Sequence, residues 1–432
     1  MFSRRDFLGS AALGLGGLIL PGEANKEEEK NQENELPDPI TKLSTMKDQA
    51  RPITSEERRA RIGKACRLMK KNDMGALLLM GGTTLDYFTG IKWRISERML
   101  AVVLTQDGAA FIVCPAFEEA RAKEQIEGGP LDNSTSIRTW QEHENPYHLV
   151  ADGLRERGLA TSRLGIEETV RFVFSNGIAD EAPSLTLASA TPVTAGCRGE
   201  KDGHELELMS LASEVTWKAY QAAYESMEEG MDQEEFSRLI ARAHDQLGFS
   251  GYASVQVGKY AALPHGSKTP QTIREGQPVL IDGGCTVEGY WSDLSRTFML
   301  GKPTDKMEEV FDIVRKAQDA ALQTAEPGIE AQKVDAAART AIAEAGYGPG
   351  YKYFTHRLGH GIGMDMHEWP YLVKGNTTVL EPGMTFSNEP GIYIPDEFGV
   401  RLEDDLVITE EGAKLLSPQS NSFEEPFGKW EN

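Results

Sequence analysis

The chain has 432 residues, of which 40% are hydrophobic and 26% charged, a balance typical of a globular protein long enough for two domains. Its formal net charge of −22 at pH 7 argues against nucleic acid or an anionic membrane surface as a partner. Its four cysteines lack CxxC spacing, which argues against a structural zinc site, while one disulfide stays possible.

The first residues have the pattern of an export signal. Arg4 and Arg5 precede a glycine-rich apolar stretch that ends at Leu20. The pattern predicts a twin-arginine signal over residues 1–24 and a periplasmic or extracellular protein, or a cytoplasmic one if the signal does not function. The apolar run is too short to span a bilayer, so no stable membrane insertion is expected. Residues 25–54 are rich in Glu, Lys, Asn and Pro, which predicts a disordered linker.

Residues 55–197 predict a first domain. A helix is expected from Ser55, as its N-cap, to Met69, and the apolar runs 75–80, 100–104 and 110–113 are typical of buried strands. A connector begins near Cys197, and a helical pattern from about Asp202 to Glu229 opens a second domain over residues 198–432. The residues that could carry chemistry fall in this second domain.

Two aspartates lie on a predicted hairpin. Asp282 ends an apolar strand, and Asp293 belongs to the strand that follows a turn at Glu288 and Gly289. A two-residue turn places Asp282 opposite Ser295, so Asp293 is a diagonal neighbour of Asp282 on the same face. One cation can therefore contact both carboxylates.

Two glutamates flank a second turn-rich stretch. Glu389 ends the strand-like segment 385–389, Glu403 ends the segment 399–403, and the turn-rich residues 395–399 between them predict the loop of a second hairpin. Strand alternation puts Arg401 on the same face as Glu403, with Leu402 on the other face. An arginine beside a ligating carboxylate is expected to orient it.

One histidine lies in a glycine-rich segment. His360 is surrounded by Gly359, Gly361 and Gly363, which let the backbone approach a ligand closely or turn sharply. No strand–glycine–helix unit with a downstream acid surrounds these glycines, which argues against a dinucleotide site.

The combined set of four carboxylates and one imidazole predicts a metal centre. Carboxylates gathered in a cleft repel one another unless positive charge or protonation compensates them. Two divalent cations neutralise four carboxylates, and the oxygen-rich set favours Mn, Fe or Co, with Zn still possible.

These segments resemble those of the pita-bread metallopeptidases, the family of Xaa-Pro aminopeptidase, Xaa-Pro dipeptidase, methionine aminopeptidase and creatinase. The matching segments are the strands of Asp282 and Asp293, residues 359–363, His367-Glu368-Trp369-Pro370, residues 387–391 and residues 400–404. The resemblance implies an α+β protein, with a C-terminal pita-bread domain preceded by a smaller α/β creatinase-type N-terminal domain.

The resemblance also implies a function and a set of roles. The expected enzyme hydrolyses the Xaa-Pro bond at the N-terminus of peptides, using a hydroxide between two divalent metal ions, of which Mn is preferred. The implied metal ligands are Asp282, Asp293, His360, Glu389 and Glu403. Glu389 is also the expected proton shuttle, and a homodimer or higher homo-oligomer is expected.

Five further side chains match the family's pattern around the metals. His265 is expected to contact the substrate, and His356 and His367 to position it and stabilise the oxyanion. Tyr393 and Arg401 match positions that support the ligands.

Peptide length depends on a departure from the family's pattern. Xaa-Pro dipeptidases often carry an arginine directly after the His-Glu-x-Pro stretch, where it can hold the free carboxylate of a dipeptide. Tyr371 occupies this position, which favours an aminopeptidase that accepts longer peptides with proline second, unless an arginine from another loop takes the role.

Two other classes stay open at this point. One is a non-peptide hydrolase or lyase on the same fold, acting on a small C–N or C–S compound. The other is a catalytically silent binding module, although such modules typically lose the ligands that are complete here.

Overall fold

The computed structural model describes residues 36–131 and 135–430. The predicted export signal over 1–24 and residues 25–35 of the predicted linker lie outside the described residues, so the signal stays a prediction. No helix in the described part of the chain is long and apolar enough to cross a membrane.

Residues 36–54 are folded onto the protein. They contain helix α1 (Asp38–Thr41) and a short 3-10 helix (Lys47–Gln49). Ile40 is fully buried and Met46 is 4% exposed, and both belong to an apolar core of the C-terminal half. The prediction of disorder is therefore wrong for this stretch, because a few apolar side chains among many polar ones are enough to anchor it.

The N-terminal half is built on one six-stranded sheet in the order β4-β3-β2-β1-β5-β6, in which β1 pairs antiparallel with β2 and parallel with β5. Its strands are β1 (Ala76–Met80), β2 (Ala101–Thr105), β3 (Ala110–Pro115), β4 (Ser136–Trp140), β5 (Arg163–Ile166) and β6 (Thr186–Ser189). Its helices are α2 (Ser55–Lys71), α3 (Thr83–Thr89), α4 (Glu119–Ile126), α5 (Tyr147–Glu156), α6 (Phe172–Glu181) and α7 (Thr191–Arg198), with a 3-10 turn at Ala116–Glu118.

This sheet is buried on both faces. Alternate side chains of β1 enter different cores, Leu77 and Leu79 in one and Leu78 and Met80 in the other. Helices covering both faces of a largely buried sheet are typical of an α/β domain. The three strands expected from apolar runs are β1, β2 and β3.

Helix α2 begins one residue earlier than its predicted cap implies. The side chain of Thr54 accepts a hydrogen bond from the backbone of Glu57, and Glu57 bonds back to the Thr54 backbone. This reciprocal capping box makes Thr54 the N-cap in place of Ser55.

The C-terminal half packs long helices behind twisted antiparallel strands. Its helices are α8 (Gly203–Tyr224), α9 (Gln233–Leu247), α10 (Asp305–Thr324) and α11 (Ala331–Ile342), with a 3-10 helix at Gly258–Ala262 and a π turn at Ala343–Tyr347. The first sheet contains β7 (Gly251–Val257), β8 (Pro278–Val287), β9 (Tyr290–Trp291) and β10 (Leu294–Met299). The others contain β11 (Gly359–Gly361), β12 (Glu368–Leu372), β13 (Thr385–Asn388), β14 (Gly391–Ile394), β15 (Phe398–Arg401), β16 (Asp404–Thr409) and β17 (Gly412–Leu415).

The helices leave the inner faces of these strands turned toward one another. Helices α8 and α9 share an apolar core with β7, β8 and β10, while α10 and α11 share another with β13 to β16. The predicted α+β organisation, with a smaller α/β half in front of a larger antiparallel half, is confirmed. The cleft between the two strand systems is where the predicted ligands converge.

Candidate metal centre

Asp282 and Asp293 lie on the first predicted hairpin. Its turn is formed by Glu288 and Gly289, whose φ angles are 49° and 88°. Two residues with positive φ match the right-handed twist of a hairpin and fix its register. Asp282 is accordingly paired with Ser295, as the sequence predicted, and Asp293 lies on the same face.

Glu389 and Glu403 lie on the second hairpin. The ladder of β13 with β16 pairs Asn388 with Asp404, and the ladder of β14 with β15 continues the same register. This register sets Glu389 opposite Glu403 at the gap between the two ladders. The backbone N–H of Glu403 donates to the carbonyl of Ser295 at 3.1 Å, so the two hairpins meet at their ligand positions.

His360 is held in place by its backbone and by one ring nitrogen. A Cβ on Gly359 would lie 1.9 Å from the carbonyl oxygen of Ser387, so only glycine allows this close strand contact. The Nδ1 of His360 lies 3.1 Å from the carbonyl of Gly361. When Nδ1 donates that hydrogen bond, the lone pair of Nε2 is left free for a ligand.

The five predicted ligands and His367 fall into three overlapping groups, and within each group the donor atoms lie within 4.8 Å of one another. These groups are Asp282-Asp293-Glu403, His360-Glu389-Glu403 and Asp293-His360-His367. The first two share Glu403, so these five residues could hold two neighbouring divalent cations. The donor chemistry, four carboxylates and an imidazole, fits a pair of divalent ions.

The electrostatics of the cluster also fit cations. Burial raises the pKa of Asp293 and of Glu403 well above the usual range, and neighbouring carboxylates raise both further. Burial raises the pKa of Glu389 to about 8. For Asp282 burial also acts to raise the pKa, but Arg401 and the hydroxyl of Ser295 bring it below its ordinary value. The protein therefore supplies less positive charge than the carboxylates require.

Arg401 connects the ligands to the rest of the cleft. Its guanidinium lies 2.7 Å from Asp282 and donates at 2.9 Å to the hydroxyl of Ser295, which also contacts Glu403. Arg401 also donates to the hydroxyl of Tyr393 at 3.1 Å. Leu402 faces away into the apolar core, so the predicted alternation is confirmed.

Nine of the ten side chains nominated from the sequence line one cleft of about 710 Å³. They are His265, His356, His367, Glu389 and Arg401 together with Asp282, Asp293, His360 and Glu403. Their individual roles in a reaction stay predictions.

The three additional histidines occupy different surroundings. His265 and His367 are exposed in the cleft, and the His367 ring centre lies 4.0 Å from that of His360. His356 is engaged at both nitrogens, with Nδ1 2.8 Å from the carbonyl of Arg357 and Nε2 2.7 Å from the Tyr393 hydroxyl. Burial lowers the pKa of His356 to about 3, so it is neutral and supports Tyr393.

Several residues of the cleft are not among those that the sequence predicts. Arg357 and Met366 line the cleft with Tyr252, whose hydroxyl lies 3.7 Å from the Met366 sulfur. Asp405, which in isolation resembles part of a solvated acidic edge, is fully buried and accepts the backbone N–H of Asp293 at 2.9 Å. The position of Asp405 two residues beyond Glu403 was the available signal, since alternation gives both the same face.

None of the four cysteines takes part in this centre. All four are free, and Cys285 is fully buried on β8 although it lies only three residues from Asp282.

Comparisons with known proteins match both halves of the chain. A model of metallopeptidase family M24 matches residues 207–410, and a model of the creatinase/prolidase N-terminal domain matches residues 61–199. An Xaa-Pro dipeptidase of Lactobacillus delbrueckii subsp. lactis is 35% identical over 327 residues, which are 74% of this chain and 86% of that protein.

Solved structures agree with these matches. The crystal structure of dipeptidase PepE from Mycobacterium ulcerans has a TM-score of 0.80 at 31% identity, covering 86% of this chain and 98% of that one. A recombinant prolidase from Thermococcus sibiricus has a TM-score of 0.74 at 30% identity, covering 85% and 98%. The expected pita-bread architecture is thereby confirmed, and the chain is a peptidase that belongs to metallopeptidase family M24, with a creatinase/prolidase N-terminal domain.

Proposed function

We propose that this protein is a dipeptidase that hydrolyses Xaa-Pro dipeptides with two divalent metal ions. The observation that carries the proposal is the pair of donor groups, Asp282-Asp293-Glu403 and His360-Glu389-Glu403, that share one carboxylate. The names of the relatives, Xaa-Pro dipeptidase and prolidase, support the substrate class. The oxygen-rich donor set favours Mn, with Co, Zn or Fe as other candidates.

The residues of the cleft divide the chemistry among them. Bound divalent ions lower the pKa of a water molecule and polarise a carbonyl group. Glu389 accepts the proton of the attacking water and returns it to the proline nitrogen as the peptide bond breaks. His367, exposed beside His360, donates to the oxygen that becomes negative in the transition state.

Arg357 supports a dipeptide over a longer peptide. Its guanidinium lies 4.3 Å from the ring centre of Tyr371 and lines the cleft. Tyr371 is the position at which dipeptidases often carry their arginine, so Arg357 brings a guanidinium to this place from another loop. A guanidinium stacked on an aromatic ring keeps its donors free for a carboxylate. The absence of arginine at Tyr371 is then no reason to prefer longer peptides.

The test compares Ala-Pro with Ala-Pro amide and with Ala-Pro-Ala in metal-loaded protein. Arg357→Gln is expected to raise KM for Ala-Pro by about 10-fold to 100-fold, because it removes one charge-assisted hydrogen bond to the substrate carboxylate. KM for Ala-Pro amide, which lacks that carboxylate, is expected to stay unchanged. Tyr371→Arg is expected to give no gain on Ala-Pro. Arg274→Gln, at an exposed arginine that does not line the cleft, is the control.

Two results would count against the proposal. Faster cleavage of Ala-Pro-Ala than of Ala-Pro by the wild-type protein would make it an aminopeptidase. No cleavage of any of the three, in protein shown to hold two metal ions, would reject Xaa-Pro hydrolysis and point to a small non-peptide substrate.

A further inference from the structure

Four charged side chains form a cluster where the N-terminal half meets residues 365–368 of the C-terminal half. We call Arg198, Lys201, Asp365 and Glu368 the bridging cluster. The Nη2 of Arg198 lies 2.6 Å from Asp365 and 2.5 Å from Glu368, and the Nζ of Lys201 lies 2.5 Å from the other carboxylate oxygen of Glu368. The positively charged side chains of Arg198 and Lys201 thus hold two carboxylates that are three residues apart in the chain.

The bridging cluster is anchored in the N-terminal half. Arg198 is the last residue of α7, and it also donates to the hydroxyl of Thr84 at 3.1 Å. The hydroxyl of Thr83 contacts Asp365 at 2.6 Å. Both threonines lie at the start of α3, so these contacts connect the cluster to a helix of the N-terminal half. The segment around Asp365 is therefore held by the other half of the protein.

Burial makes this anchoring rigid. The side chains of Lys201 and Glu368 are 2% and 7% exposed, and that of Arg198 is 11% exposed. Ionised groups removed from water are stable only when their partners are placed accurately. Gly363 closes the packing, because a Cβ there would lie 2.5 Å from a Glu368 carboxylate oxygen and 2.8 Å from Lys201.

His367 lies between the two anchored carboxylates. Asp365 precedes it by two residues and Glu368 follows it directly. Among the described residues, the ring of His367 has no hydrogen-bond partner, and its one ring contact is with His360 at 4.0 Å. The position of its imidazole in the cleft is therefore set by the backbone on either side, and that backbone is set by the bridging cluster.

We propose that Arg198 and Lys201, which lie outside the cleft, are positioning residues for His367. The last helix of the N-terminal half and the connector that follows it then place an imidazole of the metal cleft. This inference rests on the proposed function of His367 in peptide hydrolysis.

A double-mutant cycle tests the inference. Arg198→Met is expected to lower kcat for Ala-Pro by about 10-fold to 100-fold, the effect of a displacement of about 1 Å, with KM and metal content little changed. In a His367→Ala background the same substitution is expected to cost less than about 3-fold, because the group that it positions is gone. An equal loss in both backgrounds would mean a general structural role and would overturn the inference.

Two further variants keep the test decisive. Asp365→Asn changes a side chain that is 40% exposed, so it is expected to fold and to give a smaller loss with the same dependence on His367. Lys64→Met removes a contact of 2.9 Å to Glu200 in the same connector without touching the segment of His367. This matched control is expected to leave kcat unchanged, and a loss as large as that of Arg198→Met would contradict the inference.

Hydrogen–deuterium exchange separates this inference from the proposed function. The backbone amides of residues 363–368 are expected to exchange at least about 10-fold faster in Arg198→Met than in wild type. Their exchange rate in Lys64→Met is expected to equal that of wild type. If wild-type protein with two metal ions does not cleave Ala-Pro, the proposed function fails and the exchange result alone decides the positioning. Unchanged exchange in Arg198→Met would reject it.

Discussion

At the scale of single residues, the buried histidine His244 gives the protein a pH-dependent stability. It is fully buried on α9, its Nδ1 lies 2.8 Å from the carbonyl of Ile240, and Thr216 links it to Ser292 next to Asp293. Burial lowers its pKa from 6.5 to about 4. The folded state therefore keeps His244 neutral in a pH range where the unfolded chain binds a proton.

The sign of the effect follows from linkage. Its contribution to stability is complete above pH 6.5 and is lost as pH falls toward 4, because only the unfolded state is protonated between these values. The free energy of unfolding is expected to fall by about 1 kcal/mol per pH unit more in wild type than in His244→Gln. Urea unfolding at pH 7, 6 and 5 with a chelator measures this difference. If the free energy of unfolding of the two proteins changed with pH by the same amount, the predicted role of His244 would be contradicted.

The convergence of the five candidate ligands could be predicted because the placement of each depends on local sequence. A two-residue turn fixes which residues face one another, and alternation fixes the face, so Asp282, Asp293 and Glu403 follow from short segments. Contacts that lie outside the cleft, such as those of the bridging cluster, depend on distant segments. Arg198 and Glu368 are 170 residues apart, and no pattern within either segment indicates the other.

At the scale of elements, the hairpin that carries Asp282 and Asp293 has a turn with one unfavourable residue. Glu288 adopts a φ of 49°, where a side chain other than Asn, Asp or Gly is strained. Its neighbour Gly289 meets the same requirement without strain. The two-residue turn otherwise has the geometry in which Asn-Gly is the favoured pair.

Replacement of this residue is expected to stabilise the protein. Glu288→Asn should raise the free energy of unfolding by about 1 kcal/mol, because Asn tolerates the left-handed conformation. Glu288→Ala keeps the steric strain and is expected to give no such gain. Thermal or urea unfolding of the three proteins compares them, and equal stability of the Asn and Ala variants would show that the turn is not strained.

Elements with strong periodic or turn signals were predictable, and weakly apolar ones were not. The strands β1 to β3 and both hairpins follow from apolar runs and turn residues. The sequence predicts disorder for residues 36–54 because their polar composition outweighs the two apolar anchors, Ile40 and Met46. Asp404 is fully buried against Arg296 at 2.7 Å, a pairing between distant strands that no local pattern reveals.

At the scale of the whole molecule, the two halves share buried polar contacts close to the metal centre. Besides the bridging cluster, Arg61 of α2 lies 2.8 Å from the hydroxyl of Tyr290, which donates to Glu205 at 2.8 Å. Tyr290 is three residues from Asp293, so the N-terminal half also touches the first ligand hairpin. The predicted homo-oligomer stays a prediction.

We propose that two metal ions held by Asp282, Asp293, His360, Glu389 and Glu403 support Xaa-Pro hydrolysis. The most direct measurement is a titration of stripped protein with Mn, following bound metal and cleavage of Ala-Pro together. Activity is expected to appear as metal binds and to level off at two ions per chain. Glu403→Gln is expected to weaken the binding of both ions, since both donor groups share this carboxylate. Full cleavage in metal-free protein, or two bound ions without any cleavage, would reject this proposal.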